Sequence, residues 1–133
     1  MNREWADKWM AMYNDGDIAD FTAMYAEIVD HEDVIFGEKR KNKKELTEFF
    51  HAYSDAGEHR FDVTNWVGDE TGGAIEFTWV AKHAFDLCGQ PAAGKNTETQ
   101  GVAVFTFDKD GKITSEHDYW NAVAMYRQLG VID

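Results

Sequence analysis

The chain has few of the residues that build disulfides, cysteine-rich metal sites or nucleic-acid surfaces. Its 133 residues include one proline and one cysteine, Cys88, so an intramolecular disulfide and a cysteine-rich metal site are excluded. Basic residues are also scarce, with 13 Lys and Arg against 25 Asp and Glu and a formal charge of −12. Such a charge repels phosphate backbones and anionic membrane surfaces. Nucleic acids and membranes are therefore not expected partners.

Long apolar runs are missing as well. No segment approaches the roughly 18 apolar residues of a membrane span, and the polar start, MNREWADK, lacks the apolar core of a signal peptide. These features predict a protein of the reducing cytoplasm. The chain is instead rich in aromatic residues, with five Trp, five Tyr and nine Phe in a hydrophobic content of 44%. These apolar and aromatic residues are enough to form one hydrophobic core, so residues 1–133 are expected to form a single domain.

The C-terminal third contains the most regular pattern. β-branched and aromatic residues at 102–107 predict a strand, and a return strand is predicted at 112–120 after a glycine-containing turn. Because side chains alternate along a strand, Glu116, Asp118 and Trp120 share one face. The sequence therefore predicts a β-hairpin that carries two carboxylates beside an indole.

The rest of the chain predicts helices first and strands later. Apolar residues recur at helical spacing from Asn2 to Tyr13, Ile18 to Tyr25, Leu46 to Tyr53 and Val123 to Leu129. Strands are predicted at 28–36, 60–67, 74–85 and 96–108, and the basic run EKRKNKK at 38–44 is interpreted as a solvated loop. This order favours an α+β fold in which helices pack on one face of a strongly curved antiparallel or mixed sheet.

Several segments resemble one known family. They are MYNDGD at 12–17, MYAEIVDHEDVIFG at 24–37, WVAKH at 79–83, QPAAGK at 90–95, and FDKDGKITSEHDYWN with the later QLG. Over nearly its whole length the chain resembles the SnoaL-like members of the NTF2-like superfamily, which also includes ketosteroid isomerases and limonene epoxide hydrolase. The resemblance implies a cone-shaped fold with a deep, largely apolar pocket between the sheet and the helices. It also implies a homodimer formed through the sheet.

Two chemistries of the superfamily fit the sequence poorly. Ketosteroid isomerases place a carboxylate base where Asp33 stands, but the positions matching their two carbonyl-polarising donors hold Trp9 and Ala103. Limonene epoxide hydrolase uses an Asp-Arg-Asp set, and no arginine occurs between Arg60 and Arg127. A lysine on the corresponding strand does not replace a bidentate guanidinium.

The polyketide-cyclase chemistry of the SnoaL type fits better. It uses one aspartate as general acid and base in an intramolecular aldol closure, and Asp118 matches that position. His83, in the segment WVAKH, is the expected proton-exchanging partner. Asp33 is a possible second carboxylate. Burial among aromatic rings, with Glu116 on the same face, is expected to raise the pKa of Asp118.

These residues leave two functions open. The first is acid/base chemistry of a cyclase, isomerase or hydratase kind on a carbonyl compound, and the second is a non-catalytic ligand-binding or dimerisation domain. In both cases a small, mainly apolar molecule is the expected ligand. The residues expected to line its pocket are Trp9, Tyr25, Phe50, Trp79, Phe105, Glu116 and Trp120. No cofactor is expected, and no metal site, because no pair of histidines has metal-ligand spacing.

Overall fold

The computed structural model describes residues 1–87 and 89–133. It has four helices, α1 (Arg3–Asp15), α2 (Ile18–Thr22), α3 (Lys43–Ser54) and α4 (Ala122–Leu129). Its six strands are β1 (Tyr25–Asp33), β2 (Glu38–Asn42), β3 (Gly57–Gly68), β4 (Gly72–His83), β5 (Asn96–Phe107) and β6 (Ile113–Trp120). The predicted α+β class is confirmed.

All six strands form one curved, mixed sheet in the order β2-β1-β6-β5-β4-β3. Neighbouring strands are antiparallel except β1 and β6, which are parallel. Parallel neighbours cannot be joined by a tight turn, and here α3 and the strands β3 to β5 lie between them in the chain. The N-terminal strand β1 thereby meets the C-terminal strand β6 at the middle of the sheet.

Local sequence signals fix most helix ends. Asn2, Asn42 and Asn121 precede three of the helices, and each side chain accepts a hydrogen bond from a backbone N–H of the first turn. Gly130 ends α4 with a φ of 77°, a left-handed conformation that glycine adopts without a steric cost. The predicted helical spans are therefore close to those observed, apart from the second.

Two segments differ from the sequence prediction. The second helix ends at Thr22, and Tyr25 begins β1 instead of continuing the helix. The tyrosine ring is fully buried and bonded to the opposite strand, so tertiary contacts override the helical spacing. The basic run was predicted as a loop, but Glu38–Asn42 forms the edge strand β2, paired with β1. Charged residues are tolerated there because an edge strand is partly solvated.

The helices pack against one face of the sheet over an aromatic core. Its largest cluster joins α1, α2, α3 and the sheet through Trp9, Phe21, Tyr25, Phe50 and Phe105, which are all buried. None of the described helices combines the length and apolar character needed to cross a bilayer.

Candidate functional site

The parallel pairing of β1 with β6 assembles the polar centre of the molecule. In its register His31 lies opposite Glu116, and Asp33 lies opposite Asp118. On the other side of β6, Ala103 of β5 lies opposite Asp118. Side chains of paired residues point to the same face of a sheet. A histidine and three carboxylates from two strands therefore face the helices together.

Three of these groups touch within the core. His31 Nε2 lies 3.6 Å from Glu116 Oε2 and 3.8 Å from Asp118 Oδ2. The Tyr25 hydroxyl donates a 2.5 Å hydrogen bond to Glu116 Oε1. The Glu116 side chain is only 2% exposed, whereas that of Asp118 is 25% exposed. Asp118 is thus the carboxyl group that a ligand can reach.

Their surroundings shift the pKa values of the Asp118 and Glu116 carboxyl groups in opposite directions. Burial raises the pKa of Asp118 well above its usual range, and the charge and hydrogen bond of Glu116 and the charge of Asp33 raise it further. For Glu116, burial also favours the neutral form, but the charge of His31 and hydrogen bonds from His31, Asp118 and Tyr25 outweigh it and lower the pKa. The surroundings therefore move the two pKa values apart, the pattern of an acid/base pair.

A cavity of about 90 Å³ opens beside these groups. Aromatic rings form most of its wall, and one end is polar. Its lining residues are Trp9, Met10, Tyr13, His31, Asp33, Arg40, Phe49, Tyr53, Phe61, Phe77, Trp79, Ala103, Glu116, Asp118 and Trp120. The volume is below the roughly 300 Å³ of a drug-sized site. A ligand that fits this space without rearrangement is therefore small.

One glycine brings an aromatic wall of the cavity close to the sheet. A Cβ on Gly101 of β5 would lie 2.6 Å from the Phe77 ring and 2.6 Å from the Tyr119 carbonyl oxygen. Such contacts are too short for any side chain. The absence of a side chain at Gly101 therefore lets Phe77 lie flat against β5 and face the cavity.

The cavity brings together six of the ten residues predicted for the site. Asp118, Asp33, Trp9, Trp79, Glu116 and Trp120 line it. Tyr25, Phe50 and Phe105 do not line it and belong to the aromatic core. Tyr25 still acts on the site through its hydrogen bond to Glu116.

His83 lies apart from Asp118. Along the sheet, Asp118 is level with Ala103 and Ile75, whereas His83 lies eight residues beyond Ile75 on β4. Its Nε2 lies 2.9 Å from Thr97 Oγ1, and burial lowers the pKa of its ring. The expected pairing of His83 with Asp118 is therefore not present, and His31 occupies that place.

Both oxygens of Asp33 are engaged by the protein. Oδ1 accepts from the backbone N–H groups of Ile35 and Phe36, each at 3.0 Å, and the Trp120 indole donates to Oδ2 at 3.1 Å. These bonds hold the turn after β1 and orient the Trp120 ring. The negative charge of Asp33 also contributes to the raised pKa of Asp118.

Sequence reasoning missed two polar residues of the cavity, His31 and Arg40. Val29 and His31 of β1, two positions apart, are both buried, so alternation in this part of the strand could have indicated that His31 faces inward. Arg40 lies in the basic run and pairs with His31 across β1 and β2. A run of charged residues gives no local signal that one of them points into the core.

Among the residues that the structure describes, one group has the composition of a metal site. The ligand atoms of His31, Glu116 and Asp118 all lie within 4.8 Å of one another. An imidazole and two carboxylates suit several divalent metals, so these side chains could hold a cation. The absence of a metal was predicted from the spacing of histidines along the chain, whereas this group combines residues of two strands. That absence stays a prediction.

Comparisons with known proteins identify the family of this chain. A model of the SnoaL-like domain matches residues 6–116, and the chain belongs to the SnoaL-like family. No protein with a curated description matches the chain.

Solved structures of similar proteins cover nearly the whole fold. A candidate polyketide cyclase from Pseudomonas putida KT2440 is similar at 26% identity, with 92% of this chain and 93% of that chain covered and a TM-score of 0.77. A candidate polyketide cyclase from Xanthomonas campestris pv. campestris is similar at 25% identity, with 93% of each chain covered and a TM-score of 0.76. A candidate SnoaL-like polyketide cyclase from Shewanella denitrificans OS-217, at 14% identity, covers 98% of this chain and 97% of its own with a TM-score of 0.83.

Proposed function

We propose that this protein binds a small, mainly apolar carbonyl compound in the cavity and catalyses acid/base chemistry of a cyclase, isomerase or hydratase kind. The observation that carries the proposal is the state of Asp118. It is a partly reachable carboxyl group at the polar end of an aromatic cavity, with a raised pKa and one oxygen, Oδ1, that has no hydrogen-bond partner in the described chain. The similarity of the chain to candidate polyketide cyclases supports the same class of chemistry.

The proposed step is proton transfer at the carbon next to the carbonyl group. The C–H bond breaks, its proton passes to the Asp118 carboxylate, and its electron pair forms a C=C bond as the carbonyl oxygen becomes an enolate. Reprotonation elsewhere gives an isomer. Alternatively, attack of the enolate on a second carbonyl carbon closes a ring, and the alkoxide formed from that carbonyl group takes the proton from Asp118. A carboxylate with a raised pKa is a stronger base for this purpose than an ordinary aspartate.

The neighbouring groups have supporting roles in this proposal. His31, at 3.8 Å from Asp118 Oδ2, places its imidazole beside both carboxyl groups, and its charge favours the ionised form of Glu116. Glu116, held ionised by Tyr25 and His31, keeps the proton affinity of Asp118 high. Trp9, Trp79 and Trp120 supply the apolar wall that contacts the ligand.

The homodimer stays a prediction from the family resemblance. The sheet face away from the helices exposes Val80, Val104 and Tyr119, each at 40–42%. Apolar side chains on an outer sheet face support association through that face.

Hydrogen–deuterium exchange tests the catalytic proposal. Pentane-2,4-dione, a small diketone with acidic C–H bonds, is incubated with the protein in deuterated buffer and followed by NMR. The wild type should accelerate exchange, and Asp118→Asn should reduce that acceleration at least about a hundredfold. Asp30→Asn is the matched control, because Asp30 lies on β1 with a side chain 64% exposed and bonded to His117.

Two outcomes contradict the proposal in different ways. Full exchange activity in Asp118→Asn would remove Asp118 from the mechanism. Wild-type protein that binds the diketone without accelerating exchange would favour the second function, a non-catalytic ligand-binding domain.

A further inference from the structure

Polar atoms without partners gather at the cavity. In the described part of the chain, seven buried side-chain nitrogen or oxygen atoms lack a hydrogen-bond partner, and five belong to residues that line it. These five are Trp9 Nε1, His31 Nδ1, Arg40 Nη1, Tyr53 Oη and Asp118 Oδ1. Native proteins satisfy nearly all buried polar groups. Their concentration around one space indicates that a ligand completes their hydrogen bonds.

Arg40 is the cationic member of this group. It lies on the edge strand β2, opposite His31, and its guanidinium stacks on the Phe49 ring with 3.6 Å from Cζ to the ring centroid. Nη2 donates to Glu38 Oε2 at 2.9 Å, and the side chain is only 12% exposed. Stacking and this bond fix the guanidinium plane, so Nη1 is held in one direction.

The charge of Arg40 acts on the reacting carboxyl group. It lowers the pKa of Asp118, against burial and the neighbouring carboxylates that raise it. Arg40 is not within 4 Å of any Asp118 oxygen in the described structure, since its one close ion pair there is with Glu38. A ligand seated between Arg40 and Asp118 would contact both.

The other unpartnered donors at the cavity are weaker candidates for binding an anion. Trp9 Nε1 lies near the Tyr25 hydroxyl, and the Tyr53 hydroxyl lies near that of Tyr13. Both are neutral groups, and hydrogen bonds from charged donors are roughly twice as strong. Arg40 Nη1 is therefore a stronger donor than either of them for an oxygen that gains negative charge. Its guanidinium is always charged, unlike the imidazole of His31, whose Nδ1 is also unpartnered.

We propose that Arg40 is a catalytic residue that binds the carbonyl oxygen of the ligand through Nη1 and stabilises it as an enolate. This inference rests on the proposed function, because it supplies the oxygen-binding donor that the proton transfer to Asp118 requires. Nη2 is occupied by Glu38, so Arg40 offers one nitrogen and not the two-pronged fork that recognises carboxylates. The site accordingly prefers compounds with a single acidic oxygen, an enolate or a phenolate, over carboxylic acids.

Binding of enolate mimics tests this proposal without turnover. The probes are 2,6-difluorophenol, at a pH at which it is ionised, and 1,3-difluorobenzene, which has the same ring without the oxygen; fluorine NMR measures both affinities. Wild-type protein should bind the phenolate about tenfold or more tightly than the hydrocarbon. It should also bind the phenolate more tightly than 2,6-difluorobenzoate.

Variants assign the preference to Arg40. Arg40→Met keeps an unbranched side chain over Phe49 and should reduce the phenolate preference to about twofold or less, while the affinity for difluorobenzene stays within about twofold. Arg60→Met is the matched control, because Arg60 lies on β3 with 61% of its side chain exposed. Asp118→Asn keeps an oxygen at the same place and should retain the preference.

The outcomes separate the two proposals. An unchanged preference in Arg40→Met, or an equal loss in Arg60→Met, would overturn the role of Arg40 whatever the exchange assay shows. A preference that depends on Arg40 without catalysed exchange would leave Arg40 as a ligand-binding residue and overturn the catalytic step. If Arg40→Met does not fold, Arg40→Lys keeps the charge but loses the stacked plane, and a wild-type preference in that variant would contradict the proposal.

Discussion

Two buried histidines with almost the same exposure, His31 at 2% and His83 at 3%, have different chemical surroundings. His31 contacts two carboxyl groups at the cavity, whereas His83 contacts the Thr97 hydroxyl and the rings of His59 and Trp79. Burial lowers the pKa of His83. The groups that contact a histidine, and not its degree of burial, therefore decide whether it can exchange protons with a substrate-binding group.

The largest effect on stability is expected from removing the carboxylate beside His31. Glu116→Gln removes a buried negative charge that accepts from Tyr25 and faces His31. Breaking a buried ion pair typically costs about 3–5 kcal/mol, so we expect the free energy of unfolding to fall by about 3 kcal/mol. Urea denaturation of Glu116→Gln and wild type measures this difference in the free energy of unfolding.

Glu76→Gln provides the control for this change, because Glu76 is exposed on β4. It should alter the free energy of unfolding by less than about 0.5 kcal/mol. Equal stability of Glu116→Gln and wild type would mean that the carboxylate is not ionised in the folded protein.

The next effect separates the two histidines directly. His31→Gln should reduce the catalysed exchange of pentane-2,4-dione about tenfold or more, because it removes the imidazole that lies beside both Glu116 and Asp118. His83→Gln should leave exchange within about twofold and lower the free energy of unfolding by about 1 kcal/mol through its altered bond to Thr97. Exchange rates and denaturation curves of both variants are the measurements.

The opposite result would reverse the assignment. Loss of exchange in His83→Gln together with normal exchange in His31→Gln would restore the partnership that the sequence suggested. Similar losses in both variants would indicate a general effect of substituting buried histidines.

A further expected effect is a pH dependence of stability. Asp118 has a raised pKa in the folded protein, so its protonated form favours the native state at low pH. That contribution is lost as the pH rises from the unfolded value, about 4, through the folded value. Asp118→Asn cannot ionise, so it should become more stable relative to wild type over this range, by about 1.4 kcal/mol for each unit of the pKa difference.

Thermal or urea unfolding of wild type and Asp118→Asn across this pH range measures the effect. The neighbouring Asp33, Glu116, His31 and Arg40 are the same in both proteins, so their own titration largely cancels in the difference. A difference that stays constant with pH would mean that Asp118 titrates normally.

Sequence patterns correctly predicted the features that depend on residues close together in the chain, such as which side chains share a strand face. Strand alternation correctly placed Glu116, Asp118 and Trp120 on one face of β6, where all three line the cavity. It could not predict strand register, which puts Ile75 and not His83 level with Asp118. It also could not show that β1 pairs with β6, and that pairing brings His31 to the carboxyl groups.

Arg40 illustrates a second limit of sequence reasoning. Its neighbours in the basic run are lysines and a glutamate, and such a run usually lies in solvent. Only the alternation of β2 directs this one guanidinium inward over Phe49. Side-chain direction on a short edge strand depends on a pairing partner, which a charge pattern does not reveal.

The parallel pairing of β1 with β6 also has a consequence for folding. The Tyr25–Glu116 hydrogen bond joins residues 91 positions apart, whereas the His83–Thr97 contact joins residues 14 positions apart. Closing a long loop costs more chain entropy, and such contacts form slowly. During synthesis, β1 lacks its parallel neighbour until β6 has been made. Until then His31 and Asp33 are without the carboxyl groups that they face across the two strands.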